Sequence, residues 1–125
     1  AYEFDPNDPP PVPYAPGEGW LVSHHASDRW IERIHACADT QAARVWIQYS
    51  LDLAFQVPNR YAVDLWIQRI VEGRTQLARR EGMRWYMLGY AVFIVSGNRV
   101  VTVIRATEDD VRIVLAWLLT GIWMP

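Results

Sequence analysis

The sequence predicts an α+β fold with segregated elements. Two to three N-terminal helices pack on a small antiparallel sheet of three to four strands, and a C-terminal helix closes the chain. Three observations predict it. From Ser23 to Glu72 apolar residues recur at helical spacing. After Gly82 the pattern turns strand-like, rich in aromatic and β-branched residues, around the tight-turn signal Ser96-Gly97-Asn98. Thr107-Glu108-Asp109-Asp110 then reads as a capping box that opens one more helix.

In chain order, residues 1–19 form a proline-rich arm or linker and residues 20–125 a single α+β domain. Six of the eight prolines stand in the arm. Proline lacks an amide donor and disfavours helix at the residue before it, so the arm should be extended. Tyr2, Phe4 and Tyr14 favour its docking on the domain. Trp20-Leu21-Val22 suits a short edge strand. Ser23 is an N-cap candidate for a first helix over about 24–37, striped by Trp30, Ile31 and Ile34. Asp39 is a second, for a helix to about Phe55 whose apolar side is Val45, Trp46, Ile47, Leu51, Ala54 and Phe55. Pro58-Asn59 breaks the chain. A third helix over about 60–72 buries Trp66, Ile67, Ile70 and Val71; Gly73 interrupts it, and Thr75 to Arg80 add a turn or two. Strands follow over 84–88, 90–95 and 99–105, with Tyr90 to Arg105 as the hairpin and Trp85 and Phe93 in the core. The last helix runs to Thr120 and stops at Gly121, a natural C-cap position.

Composition bounds the function. The chain has 125 residues, 51% of them hydrophobic, enough to bury one core. A net charge of −2 excludes a strongly basic nucleic-acid coat and a strongly acidic tail for the chain as a whole. The single cysteine, Cys37, excludes an intrachain disulfide and a cysteine-rich zinc site; set among alanines, it reads as a small buried side chain. Apolar runs of about ten residues are too short to span a bilayer, and no signal-peptide pattern is present. These features fit a cytoplasmic protein with no membrane partner, or a domain delivered into a target cell at the end of a larger secreted chain. All twelve basic residues are arginine. A GC-rich genome is the first explanation of that, ahead of a demand for bidentate phosphate contacts.

The first helix carries the densest set of functional side chains. His25, Arg29 and Arg33 stand at i, i+4 and i+8 on one face, with His24 and Glu32 beside them. An imidazole near two guanidiniums can move a proton while phosphate charge is held in place. The competing explanation is a solvated face of weak surface ion pairs. His24 and His25 diverge by about 100° on a helix and make poor co-ligands, and no HExxH pattern occurs, so no metal and no other cofactor is expected. His35 lies elsewhere on the helix and reads as a structural or surface residue. On the strands, Arg84, Tyr86, Leu88 and Tyr90 alternate onto one face, Arg99, Val101, Val103 and Arg105 share another, and Val100, Thr102 and Ile104 a third. Arginine and tyrosine on a sheet can hold phosphate and stack on bases. The second and third helices could suggest a helix-turn-helix, but their polar residues form no concentrated basic recognition face.

Ser23-His24-His25-Ala26-Ser27-Asp28-Arg29-Trp30-Ile31-Glu32-Arg33 resembles the opening helix of small bacterial and phage domains with an S-x-H-A-x-x-R-x-x-x-R pattern. Gly97-Asn98-Arg99-Val100-Val101-Thr102-Val103-Ile104 resembles their closing hairpin. Those domains are related to the RelE-like toxins, in the wider group of metal-independent ribonucleases that includes barnase and the colicin-type nucleases. The resemblance implies helices on a small antiparallel sheet and toxin-like cleavage of RNA by 2′-hydroxyl attack. It makes His25 the acid or base, with His24 as substitute. Arg29, Arg33 and one strand arginine, Arg84 or Arg105, would stabilise the phosphorane, and Tyr86 or Tyr90 would stack on or orient a base. The implied partners are RNA and an antitoxin or immunity protein, with a homodimer as a further candidate. The alternative is a non-enzymatic phage or bacterial interaction module that binds a partner through a surface rich in Trp and Arg. The apolar close Leu118 to Pro125 would serve it, unless Trp123 folds back on the core. Convergence of His25, Arg29 and Arg33 with a strand arginine in one cleft separates the two, because the enzyme needs it and the binding module does not.

Overall fold

Ten elements follow one another in the computed structural model, which describes residues 12–13, 19–70 and 83–125. They are β1 (Val12–Pro13), β2 (Leu21–Val22), α1 (His24–Arg33), α2 (Thr40–Leu53), β3 (Phe55–Val57), α3 (Asn59–Ile70), β4 (Met83–Leu88), β5 (Ala91–Ser96), β6 (Arg99–Arg105) and α4 (Glu108–Thr120). The fold is α+β. Tyr2, Phe4, Tyr14, Val71, Gly73, the turn read over Thr75 to Arg80 and the side chain of Ile70 lie outside the described residues.

The sheet has six strands in the order β1-β2-β6-β5-β4-β3, more than the three to four expected. It is also mixed, because β2 runs parallel to β6. β2 is two residues long, and Ser23 carries the chain on from it along β6 into α1, bonding Val100 O and Val101 O. Val12 and Pro13 of the arm pair with β2 at the sheet edge, where a proline without an amide is tolerated. β3 replaces the end of the predicted second helix. Ala54 turns extended at ψ 154, and three residues pair with β4 before Pro58 opens α3 with its carbonyl.

Local signals place the remaining boundaries. Ser23, Asp39 and Thr107 each accept a first-turn amide, and Thr107 and Asp110 close a full capping box. Both hairpins turn through two residues, Gly89-Tyr90 and Gly97-Asn98, with the glycines at φ 57 and 63. That left-handed backbone is open to glycine without steric cost. Tyr90 is therefore a turn residue rather than the start of a strand. α1 ends at Arg33, four residues earlier than expected from the sequence, where Ile34 donates its N–H to Trp30 O. Cys37 thus sits half-buried in the connection, with Sγ 3.5 Å from His35 O.

Two apolar layers cover the two faces of the sheet. One holds Ala26 and Trp30 of α1, Ala43, Ile47 and Leu51 of α2, and Phe93 and Val95 of β5. The other holds Ala62 and Trp66 of α3, Val114 of α4, and Trp85 and Ile94 of the sheet. Predicted and observed faces differ in two places. Val45 and Trp46 are exposed on α2, while Arg44 and Gln48 are buried. The β6 register steps from Val100 opposite Val95 to Thr102 opposite Ile94, so Val101 is the extra residue of a β-bulge. Val100 and Val103 then share one layer, and Val101 and Ile104 the other, which breaks the strict alternation expected for this strand.

Candidate functional site

β2 pairs with only Arg99 and Val100, so the rest of the outer edge of β6 needs another cover. α1 supplies it. Ser23 donates its N–H to Val100 O at 3.4 Å and its hydroxyl to Val101 O at 3.4 Å, while Oγ caps Ala26 N at 3.0 Å. His25 Nε2 lies 3.3 Å from Thr102 Oγ1. Arg33 Nη1 donates to Val103 O at 3.0 Å, and Arg105 Nη1 donates to Arg33 O at 3.4 Å. The helix face that sequence spacing singled out is thus the face that seals the strand edge. His25 and Arg33 each spend at least one polar contact on that work.

At the far end of this edge the charge accumulates. Arg29 lies beside Arg33 and is itself paired with Glu32 at 2.5 Å. Burial lowers the pKa of the Arg33 guanidinium, the like charge of Arg29 lowers it further, and Glu32 opposes both. A guanidinium stays protonated under such shifts, which record first its burial and only second the like charge of Arg29. Arg105 joins this corner from β6, with its guanidinium carbon 5.2 Å from the Tyr90 ring centroid. Beside them opens a pocket of about 340 Å³ lined by Tyr90, Arg105, Ala106, Thr107 and Glu108.

The structure therefore brings Arg105 to the Arg33 main-chain carbonyl and to the Tyr90 ring, and sets Arg29 beside Arg33 on the helix face that holds His25; none of His25, Arg29 and Arg33 lines the pocket beside Arg105. From His25 to Arg33 is about 12 Å along the axis, at 1.5 Å per residue. Arg84 and Tyr86 sit elsewhere. Arg105 stands opposite Ala91 and Arg84 opposite Val95, about 13 Å further along β5. Arg84 donates to Tyr86 Oη and to Gly97 O in the far hairpin turn. Tyr86 meets the edge of Trp20, 5.3 Å between centroids, within the α1–α2 layer. His24 pairs with Asp28 at 3.4 Å, and His35 is exposed against Trp46.

A second polar cluster has almost no local signature. The Asp110 carboxylate accepts from Trp66 Nε1 at 3.0 Å, from Arg69 Nη1 and Nη2 at 2.5 and 3.0 Å, and from Thr107 N at 2.9 Å. Burial alone would raise its pKa, but the hydrogen bonds from Arg69, Thr107 and Trp66 outweigh it and hold the carboxyl below its ordinary value. Its one sequence signal is the capping box; the partners lie 44 and 41 positions away.

Among the described residues no three of His, Cys, Asp and Glu gather as a metal ion would need, and no helix is long and apolar enough to cross a membrane. No protein-family model, curated protein or solved structure matched the chain.

Proposed function

We propose that this domain is a metal-independent, toxin-like endoribonuclease whose site runs along the α1 face from His25 to the Arg33–Arg105 corner. The observation that carries the reading is the hydrogen bond from the Arg105 guanidinium to the Arg33 main-chain carbonyl, which brings a strand arginine to the end of the face that holds His25. In the reaction the ribose 2′-oxygen attacks phosphorus and the bond to the 5′-oxygen breaks. The products are a 2′,3′-cyclic phosphate and a 5′-hydroxyl. The 2′-hydroxyl proton leaves to a base, and a proton reaches the departing 5′-oxygen. His25 acts as that acid or base, with His24 one position along as its substitute. Arg29, one turn from His25, faces the same phosphate. Arg33 and Arg105 hold a neighbouring one, and Tyr90 offers a ring to a base. RNA and an antitoxin or immunity protein are the partners this activity calls for. The site would work in the cytoplasm of the producing cell or of a target cell.

The test is cleavage of a structured and an unstructured RNA in EDTA by wild type and His25→Ala, with both shown folded by circular dichroism. The expected result is cleavage by wild type, with cyclic-phosphate ends, that falls at least about a hundredfold in the variant. Folded wild type that cleaves neither RNA contradicts the proposal.

One observation favours the reading as a protein-interaction module. α4 and the residues after it turn Leu115, Leu118, Leu119, Ile122 and Met124 outward, Leu119 with 85% exposure. Trp123 is not part of that patch, since it stacks on Tyr61 at 4.1 Å. Sedimentation of Leu119→Asp beside wild type reads this surface directly, including any homodimer it forms.

A further inference from the structure

We infer that Arg44 is the centre of a carboxylate-binding site, which takes the carboxylate side-on against the Nε and Nη2 edge of its guanidinium. The inference goes beyond the ribonuclease reading and does not depend on it, because Arg44 stands on α2 and not on the α1–β6 edge. Arg44 flanks the Ala43, Ile47 and Leu51 stripe that α2 packs on the sheet, and only 7% of its surface is exposed. Its Nε and Nη2 are both buried, and neither has a hydrogen-bond partner. None of the ion pairs among the described residues includes it. Gln48, one turn further along α2, donates its Nε2 to Trp20 O at 3.5 Å instead. Trp30 of α1, in the same apolar layer, also buries an N–H without an acceptor. What this layer lacks at Arg44 and Trp30 is acceptors, not donors.

A buried charge is costly to desolvate and persists where something pairs with it. Nε and Nη2 lie on one side of the planar guanidinium, and their N–H bonds point the same way. That edge matches two oxygens of a single oxyanion, the bidentate geometry in which arginine binds most strongly. A water molecule offers one oxygen and no charge, so it leaves the guanidinium uncompensated. Charge and shape then choose among oxyanions. One buried cation balances one negative charge, whereas a phosphate monoester carries about 1.5 to 2 near pH 7. A phosphodiester carries one, but its chain continues on both sides. So enclosed a side chain is reached by the tip of a ligand, not by the middle of a polymer. A carboxylate is planar, singly charged and terminal. It is carried by a free small acid or by the end of an Asp or Glu side chain.

The test follows the Arg44 Nε–H signal of the full chain in two-dimensional NMR, assigned by its loss in Arg44→Lys. Sodium acetate replaces sodium chloride at constant ionic strength and pH. N-acetylglutamate N-methylamide, whose one carboxylate is that of the side chain, is titrated in parallel. Acetate should shift the signal saturably and raise the melting temperature of wild type above its value in chloride. Arg44→Lys keeps the charge without the two-donor edge and should lose most of that rise. Arg44→Met removes an unpaired buried charge, so in chloride it should melt at or above wild type, with no response to acetate. Saturation by the capped glutamate assigns the carboxylate to an acidic side chain; saturation by acetate alone assigns it to a free small acid. The inference is overturned by the absence of a saturable shift or by an equal acetate response in Arg44→Met. It is overturned as well if Arg44→Met melts well below wild type in chloride or fails to fold, since an acceptor of the chain itself would then already hold the guanidinium.

Discussion

On the α3–α4 side of the sheet, Asp110 receives hydrogen bonds from Arg69, Trp66 and the Thr107 amide, and its side chain is only 4% exposed. On the α1–β6 edge, Arg29, Arg33 and Arg105 lean on backbone carbonyls and on the exposed Glu32, with Arg29 and Arg33 crowding one another. The first cluster matches every charge with a partner and joins α3 to the N-terminus of α4. The second seals a strand edge and leaves positive charge in excess. The contrast separates two uses of arginine that composition alone cannot tell apart. Where the fold has compensated the charge, the residue is structural; where it has not, the arginine keeps donors open to water or an anion.

Breaking the compensated cluster should have the largest effect. Asp110→Asn leaves Arg69 facing a weaker acceptor and removes the charge that caps α4. It should cost about 2–4 kcal/mol in urea unfolding, as removal of one member of a buried charged network does. The folded carboxyl titrates below its unfolded value, so its contribution is complete above about pH 4 and is lost as pH falls through the folded pKa. Wild type should therefore lose stability faster than Asp110→Asn on acidification below about pH 4. Parallel acid profiles would show that the cluster does not couple charge to folding.

A smaller loss, about 1 kcal/mol, is expected for Ser23→Ala, which removes the α1 cap and the hydroxyl's hydrogen bond to Val101 O together. A stability unchanged within error would show that the Ser23 hydroxyl adds nothing to the hold of α1 on the β6 edge.

Much of this contrast is legible in the sequence where the causes are local. The caps at Ser23, Asp39 and Thr107, the Gly97-Asn98 turn and the His25–Arg29–Arg33 row each depend on residues a few positions apart. The features that sequence spacing misses depend on partners far along the chain. Phe55 to Val57 continues an apolar helical spacing, and only pairing with β4 makes it a strand. The Val101 bulge reverses the alternation of β6 because β5 sets the register. Val45 and Trp46 look like core and stay exposed, because α2 turns Ala43, Ile47 and Leu51 to the sheet instead. Spacing alone could not choose between the strand arginines Arg84 and Arg105. The hydrogen bond from Arg105 to Arg33 O, and that from Arg84 to the far turn, do.

The most direct measurement is the salt dependence of binding to a short single-stranded RNA. It would compare wild type with Arg29→Ala, Arg33→Ala and Arg105→Ala at the corner, and with Arg84→Ala and Arg112→Ala away from it, in the His25→Ala background. Each corner variant should weaken binding several-fold and lower the salt slope by about 0.7 for each phosphate it no longer neutralises, while Arg84→Ala and Arg112→Ala leave both unchanged. Equal weakening by all five substitutions, or no RNA binding by the folded protein, would contradict a ligand site at the uncompensated corner.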